Sequence, residues 1–103
     1  MKGLTDMVKQ AQQLQSRMAA LQEELGHRSV EATAGGGMVA VKVNGKQELL
    51  SLTIEPDILK DEDPELIQDL VMAAVNEGLN RSREMVQNEM KKLTGGLNIP
   101  GLM

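Results

Sequence analysis

Between Leu4 and Leu25, apolar residues stand at Leu4, Met7, Ala11, Leu14, Met18, Leu21 and Leu25, in steps that alternate between three and four. That is a heptad seam. Gln10, Gln12, Gln13, Gln15, Gln22, Glu23 and Glu24 fill the outer positions, and Gly26 stands where a C-cap belongs, so the segment is predicted to be a helix. A seam this narrow suits lengthwise packing on another helix better than lying on a broad sheet. From Arg28 to Ala34 the period changes to two, with Val30, Ala32 and Ala34 on one side and Ser29, Glu31 and Thr33 on the other. This predicts a strand. Gly35-Gly36-Gly37 leads to a second alternating run, Met38 to Val43, then Asn44-Gly45, then a third from Lys46 to Ile54. Asn-Gly between alternating segments signals a two-residue hairpin turn. Such a turn sets Val43 against Lys46, Val41 against Glu48 and Val39 against Leu50, and gathers Val39, Val41, Val43, Leu50, Leu52 and Ile54 on one face.

Glu55-Pro56 ends the third strand, and Asp57-Ile58-Leu59-Lys60 predicts a short helical turn. Asp63 is placed as an N-cap, Pro64 suits the first helical position, and Glu65 and Asp69 favour the positive end of the helix dipole. A second long helix should therefore run from Pro64 to about Leu93. Its apolar stripe is interrupted by Gly78 and Ser82, which read first as points of close packing. The expected architecture is α+β: helix, three-stranded antiparallel meander, helix, forming a single domain over residues 1–94 with a Gly- and Pro-containing flexible tail over 95–103. Thirty helical residues span about 45 Å, whereas a compact domain of this size has a radius of gyration of about 13 Å. At least one helix should project, and its apolar seam calls for a two-fold homodimer that covers it.

Composition removes most chemistry. The 103 residues include no Cys, Phe, Tyr or Trp and a single His. Disulfides, thiolate metal sites, thiol nucleophiles and aromatic platforms for unpaired bases are all excluded. His27 stands beside the helix-ending Gly26, where a cap or surface role is expected. Gly35-Gly36-Gly37 lacks the Gly-Lys-Ser/Thr of a phosphate loop and leads into a strand, so its expected task is an unusual connection between strands. Asp57, Asp61, Glu62, Asp63 and Glu65 lack the glycine and terminal glutamate of a calcium loop. No enzyme, cofactor, metal site or small-molecule substrate is expected. The first residues, Met1 to Asp6, carry no signal-like apolar run and no stretch has the length of a membrane span, so a soluble, intracellular protein is expected.

Charge is uneven: about +1 over residues 1–54, −7 over 55–77 and +2 over 78–103, for −4 overall. The acidic block surrounds the start of the second long helix, where dipole complementation and solubility account for it. The cations are more suggestive. Lys2 and Lys9 share one heptad position opposite the seam, with Arg17 beside that ridge. Arg81, Asn88 and Lys92 recur on one face of the last helix, with Arg83 and Lys91 nearby. Any polyanion contact must use such local patches against an unfavourable overall field.

Taken in order, Met7-Val8-Lys9-Gln10-Ala11-Gln12-Gln13-Leu14-Gln15, Leu21-Gln22-Glu23-Glu24-Leu25, Gly36-Gly37-Met38-Val39, Val43-Asn44-Gly45, Ile54-Glu55-Pro56 and Asp69-Leu70-Val71-Met72-Ala73-Ala74-Val75-Asn76 resemble the YbaB/EbfC family of bacterial nucleoid-associated proteins. The resemblance spans essentially the whole chain. It implies an α-β-β-β-α subunit, a tweezer-shaped homodimer, and a cytoplasmic, nucleoid protein that coats and compacts DNA and takes part in gene regulation. The expected function is binding of double-stranded DNA with little sequence preference, with Lys2, Lys9, Arg17, Arg81, Arg83, Lys91 and Lys92 as phosphate partners. The competing expectation is a protein-binding adaptor or chaperone-like dimer whose seam captures a partner helix.

Overall fold

The computed structural model describes residues 2–60 and 63–95. Helix α1 spans Lys2–Gly26. Strands β1 (Ser29–Ala34), β2 (Val39–Asn44) and β3 (Leu49–Ile54) follow, then the short α2 (Pro56–Leu59) and the long α3 (Pro64–Leu93). The strands form one antiparallel sheet in the order β1-β2-β3. Most of the tail expected over 95–103 lies outside the described residues, as do Asp61 and Glu62 of the acidic block.

Local chemistry explains both ends of α3. The Asp63 carboxylate accepts the Leu66 N–H at 3.2 Å, Pro64 occupies the first position and Glu65 the first turn. Lys91 and Lys92 sit in the last turn, and Gly95, at φ +64°, takes the left-handed conformation that ends the helix. The core lies between α3 and the sheet: Ala32, Val39, Val41 and Val43 are buried with Ile58 and Ala74, flanked by half-buried Ile67, Leu70, Val71, Val75 and Leu79. Gly78 sets the helix-to-sheet distance. A Cβ there would lie 2.9 Å from a methyl of both Val41 and Val43, so any side chain would push α3 off β2.

The β1–β2 connection uses three consecutive glycines at positive φ, +63°, +68° and +98°. Side chains disfavour that backbone, which is why the triplet stands there.

The second hairpin differs from the two-residue turn that Asn44-Gly45 predicts. Gly45, Lys46 and Gln47 form a three-residue loop. Gln47 N–H donates to the Asn44 carbonyl, Asn44 N–H donates to the Glu48 carbonyl, and the left-handed residue is Gln47, at φ +64°. With an irregularity at Lys42/Val43, Val39 faces Ile54, Val41 faces Leu52 and Val43 faces Leu49. The predicted partners Lys46, Glu48 and Leu50 are thus replaced. Two contacts override the local turn signal. The Asn44 side-chain oxygen accepts the N–H groups of Lys46 and Glu48, at 2.9 and 3.0 Å. Gly45 N–H donates to the carbonyls of Leu25 and Arg28, at 3.0 and 3.2 Å, which ties the loop to the end of α1. At Val39 the shift is an even number of residues, so the predicted face survives.

One polar residue is fully buried within α3. Ser82 donates to the Asn44 carbonyl and accepts from the Gln47 amide, both at 2.6 Å, so the hairpin loop is latched to α3 as well as to α1.

Candidate nucleic-acid interface

Helix α1 projects. Leu25 is buried, Leu21 and Met18 are half-buried, and residues 3–17 are exposed on every side. The subunit measures 73 × 24 × 16 Å with a radius of gyration of 19.6 Å, well beyond the compact value. The seam therefore divides: its carboxyl half is covered by its own subunit, while Leu4, Met7 and Leu14 remain open, at 64, 66 and 36% exposure. Strand β3 is open as well, because α3 packs on β1 and β2 and leaves Leu49, Leu50 and Leu52 exposed.

Opposite the seam, Lys9, Gln12, Gln13, Ser16 and Arg17 line one shallow, solvent-open depression on α1. Helical spacing dictates this, since positions three, four, seven and eight apart return to one face. Eight residues at 1.5 Å each set Lys9 and Arg17 about 12 Å apart along the axis. Neither has an acidic partner among the described residues. The polar Gln12, Gln13 and Ser16 between them are hydrogen-bonding groups that a search for charge alone passes over. The side chain of Lys2, the remaining predicted cation on this helix, lies outside the description.

The cations of α3 do not form one patch. Residues two apart on a helix point about 200° apart, so Arg81 and Arg83 face different ways. Arg81 is already engaged: its Nε lies 3.1 Å from Glu77 Oε1 and its Nη1 donates to the Glu31 carbonyl of β1 at 2.8 Å. Lys92 donates to Glu89 at 3.2 Å. Among the described residues Arg83 bonds the neutral Asn80 side chain and neither it nor Lys91 has an acidic partner. Among the described residues, Lys9, Arg17, Arg83 and Lys91 are thus predicted cations without a carboxylate against them.

Glu89 holds the base of the projecting helix. Besides Lys92 it meets Arg28, just after α1, at 3.4 Å. The Lys92 hydrogen bond, reinforced by the Arg28 charge and outweighing partial burial, keeps the Glu89 carboxyl below its ordinary range. A depressed pKa stabilises the fold above the unfolded-state value and loses that effect as pH falls through the folded-state value. Thermal melts of the native chain and of Glu89→Gln should therefore differ at neutral pH and converge in acid. A gap that stayed constant with pH would refute this role.

Among the described residues there is no group of three or more His, Cys, Asp or Glu placed to hold a metal ion, and no helix long and apolar enough to cross a membrane. His27 is exposed, 3.4 Å from Glu23 on the preceding turn.

The model of the YbaB/EbfC DNA-binding family matches residues 1–97. The chain belongs to that family. A nucleoid-associated protein of Thermoanaerobacter pseudethanolicus is 54% identical over 97% of this chain and 90% of its own length. One from Desulforamulus reducens is 57% identical over 97% of this chain and 95% of its own. The crystal structure of an uncharacterized protein from Helicobacter pylori superposes with a TM-score of 0.75 at 28% identity, covering 85% of this chain and 92% of that one. Membership in this DNA-binding family places the chain among non-enzymatic proteins, and the α-β-β-β-α order matches that of the Helicobacter structure.

Proposed function

We propose that the protein is a homodimer that binds double-stranded DNA with little sequence preference, in the cytoplasm and nucleoid, contributing to nucleoid organisation and gene regulation. The observation that carries this is α1 itself: a projecting helix with unpaired Lys9 and Arg17 on one face and, on the other, apolar residues its own subunit leaves open. The names of the relatives as nucleoid-associated proteins support it. Residues 1–94 act as one folding unit.

Dimerisation follows from what is uncovered. Leu4, Met7 and Leu14 on α1 and Leu49, Leu50 and Leu52 on β3 leave two groups of exposed aliphatic side chains, the kind of surface that marks an association site. The two edges of the sheet also differ. On β1 the Glu31 carbonyl is taken by Arg81, whereas β3, Leu-Leu-Ser-Leu-Thr-Ile, has none of the charges or prolines that protect open edges. A second copy covering β3 and the α1 seam removes both exposures and doubles the cations available to one duplex.

Phosphate contacts from lysine and arginine do not distinguish bases, and the chain has no aromatic side chain to stack on unpaired ones. Gel-shift titrations against unrelated duplexes of equal length should give the same midpoint within a factor of about three, and a single strand of the same length should bind more weakly. Tight binding confined to one sequence would overturn the proposal.

A further inference from the structure

Asn44 is the chain's only asparagine followed by glycine, the dipeptide most prone to spontaneous deamidation, because a glycine amide is sterically free to attack the neighbouring side chain. The fold needs both residues. A Cβ on Gly45 would lie 2.3 Å from the Leu25 carbonyl oxygen and 2.9 Å from Leu25 Cβ, so no other residue lets the end of α1 dock on the hairpin. Asn44 supplies three side-chain hydrogen bonds: its oxygen accepts from Lys46 and Glu48, and its Nδ2 donates to Glu48 Oε1 at 2.8 Å.

The same contacts suppress the reaction. Succinimide formation requires the Gly45 nitrogen to lose its proton and bond to Asn44 Cγ, expelling the side-chain nitrogen as ammonia. Water then opens the ring to aspartate or isoaspartate. In the fold that nitrogen is held through its N–H by the Leu25 and Arg28 carbonyls, the Asn44 amide is fixed at both ends, and Asn44 is only 5% exposed. The attacking atom is freed only when the carboxyl end of α1 leaves the hairpin and draws the Arg28 carbonyl that follows it away from Gly45.

We propose that Asn44-Gly45 is a deamidation site masked by the docking of α1, which makes undocking of the projecting helix chemically irreversible. The product cannot regain the native contacts. Aspartate at position 44 would set a carboxylate against Glu48 where an amide donor now sits, and isoaspartate lengthens the backbone inside a loop latched to both α1 and α3. A molecule whose helix has lifted for long enough thus loses the anchor of its arm.

The test incubates the full chain in mildly alkaline buffer at physiological temperature and follows position 44 by peptide mapping that separates asparagine, aspartate and isoaspartate. The native chain should react at least about tenfold more slowly than the chain fully unfolded in urea, in proportion to the population of the open state. Leu25→Ala, which removes the buried side chain that seats α1, should accelerate the reaction. Should circular dichroism show that variant to be unfolded, the native chain in sub-denaturing urea replaces it, and deamidation should rise before the global transition. Equal rates in native and unfolded chains would overturn the proposal. So would rates that neither Leu25→Ala, if folded, nor sub-denaturing urea moves ahead of global unfolding.

Discussion

Reversing the α1 cations together, Lys9→Glu with Arg17→Glu, is expected to weaken duplex binding at least about a hundredfold at low salt, and to do so alike for every sequence. Two substitutions remove four cations from a dimer and put four anions in their place, on a protein whose chain already carries −4. Both side chains are exposed on the projecting part of α1, so helix content and melting temperature should hardly change. The same reversal at Arg81 and Lys92 should have a smaller effect on DNA, since those cations are engaged by Glu77, Glu31 and Glu89, and a larger one on stability. Filter binding beside thermal melts separates the two outcomes. Equal loss of affinity from both pairs would remove α1 from its place as the principal contact.

Replacing Leu50 and Leu52 by Asp is expected to split the proposed dimer. Full burial of a leucine contributes about 1.5–3 kcal/mol, the part of these two still exposed contributes about 0.6–1.6, and in a two-fold assembly each substitution acts twice, so even one raises the dissociation constant by roughly one to two powers of ten. The subunit itself should fold, because the core residues Val39, Val41 and Val43 and the α3 contacts are untouched and both leucines are already exposed, at 54 and 38%. Light scattering should show monomers at micromolar concentration, with DNA affinity falling alongside because the cations of two copies no longer act on one duplex. Leu14→Asp in the open half of the α1 seam distinguishes the surfaces. Should it alone break the dimer while the β3 variants leave it whole, the helix seam rather than β3 holds the copies together. Should neither break it while Leu14→Asp abolishes capture of a partner helix, the adaptor function takes precedence.

Much of the fold could be derived from local chemistry. Asp63, Pro64 and the terminal lysines bound α3 because caps and dipole complements act within one turn, and the faces of Val39, Val41, Leu52 and Ile54 follow from a period of two that a shift of four leaves intact, whereas at Val43 the irregularity makes the shift three and brings in Leu49. The hairpin could not be derived in the same way. Asn44-Gly45 is chosen by the Leu25 carbonyl, nineteen and twenty positions upstream, and by Ser82 on α3. Nor does alternation say whether a face is covered: Leu50 and Leu52 lie on the predicted side of β3 but beyond the reach of α3. The cations divide likewise. The pairings of Lys92 with Glu89 and of Arg81 with Glu77 are legible as helical steps of three and four, whereas the Glu31 carbonyl that also holds Arg81 lies fifty positions earlier, where no sequence pattern marks it.

The most direct measurement is the salt dependence of duplex binding by the native chain. Lys9 and Arg17 from two copies give four phosphate contacts, and Arg83 and Lys91 raise this to eight, so the logarithm of the association constant should fall against the logarithm of salt with a slope between about −4 and −7. The double reversal on α1 should flatten that slope by three to four, at about one per cation lost. A slope near zero, or one the reversal leaves unchanged, would contradict electrostatic binding of DNA by paired α1 helices.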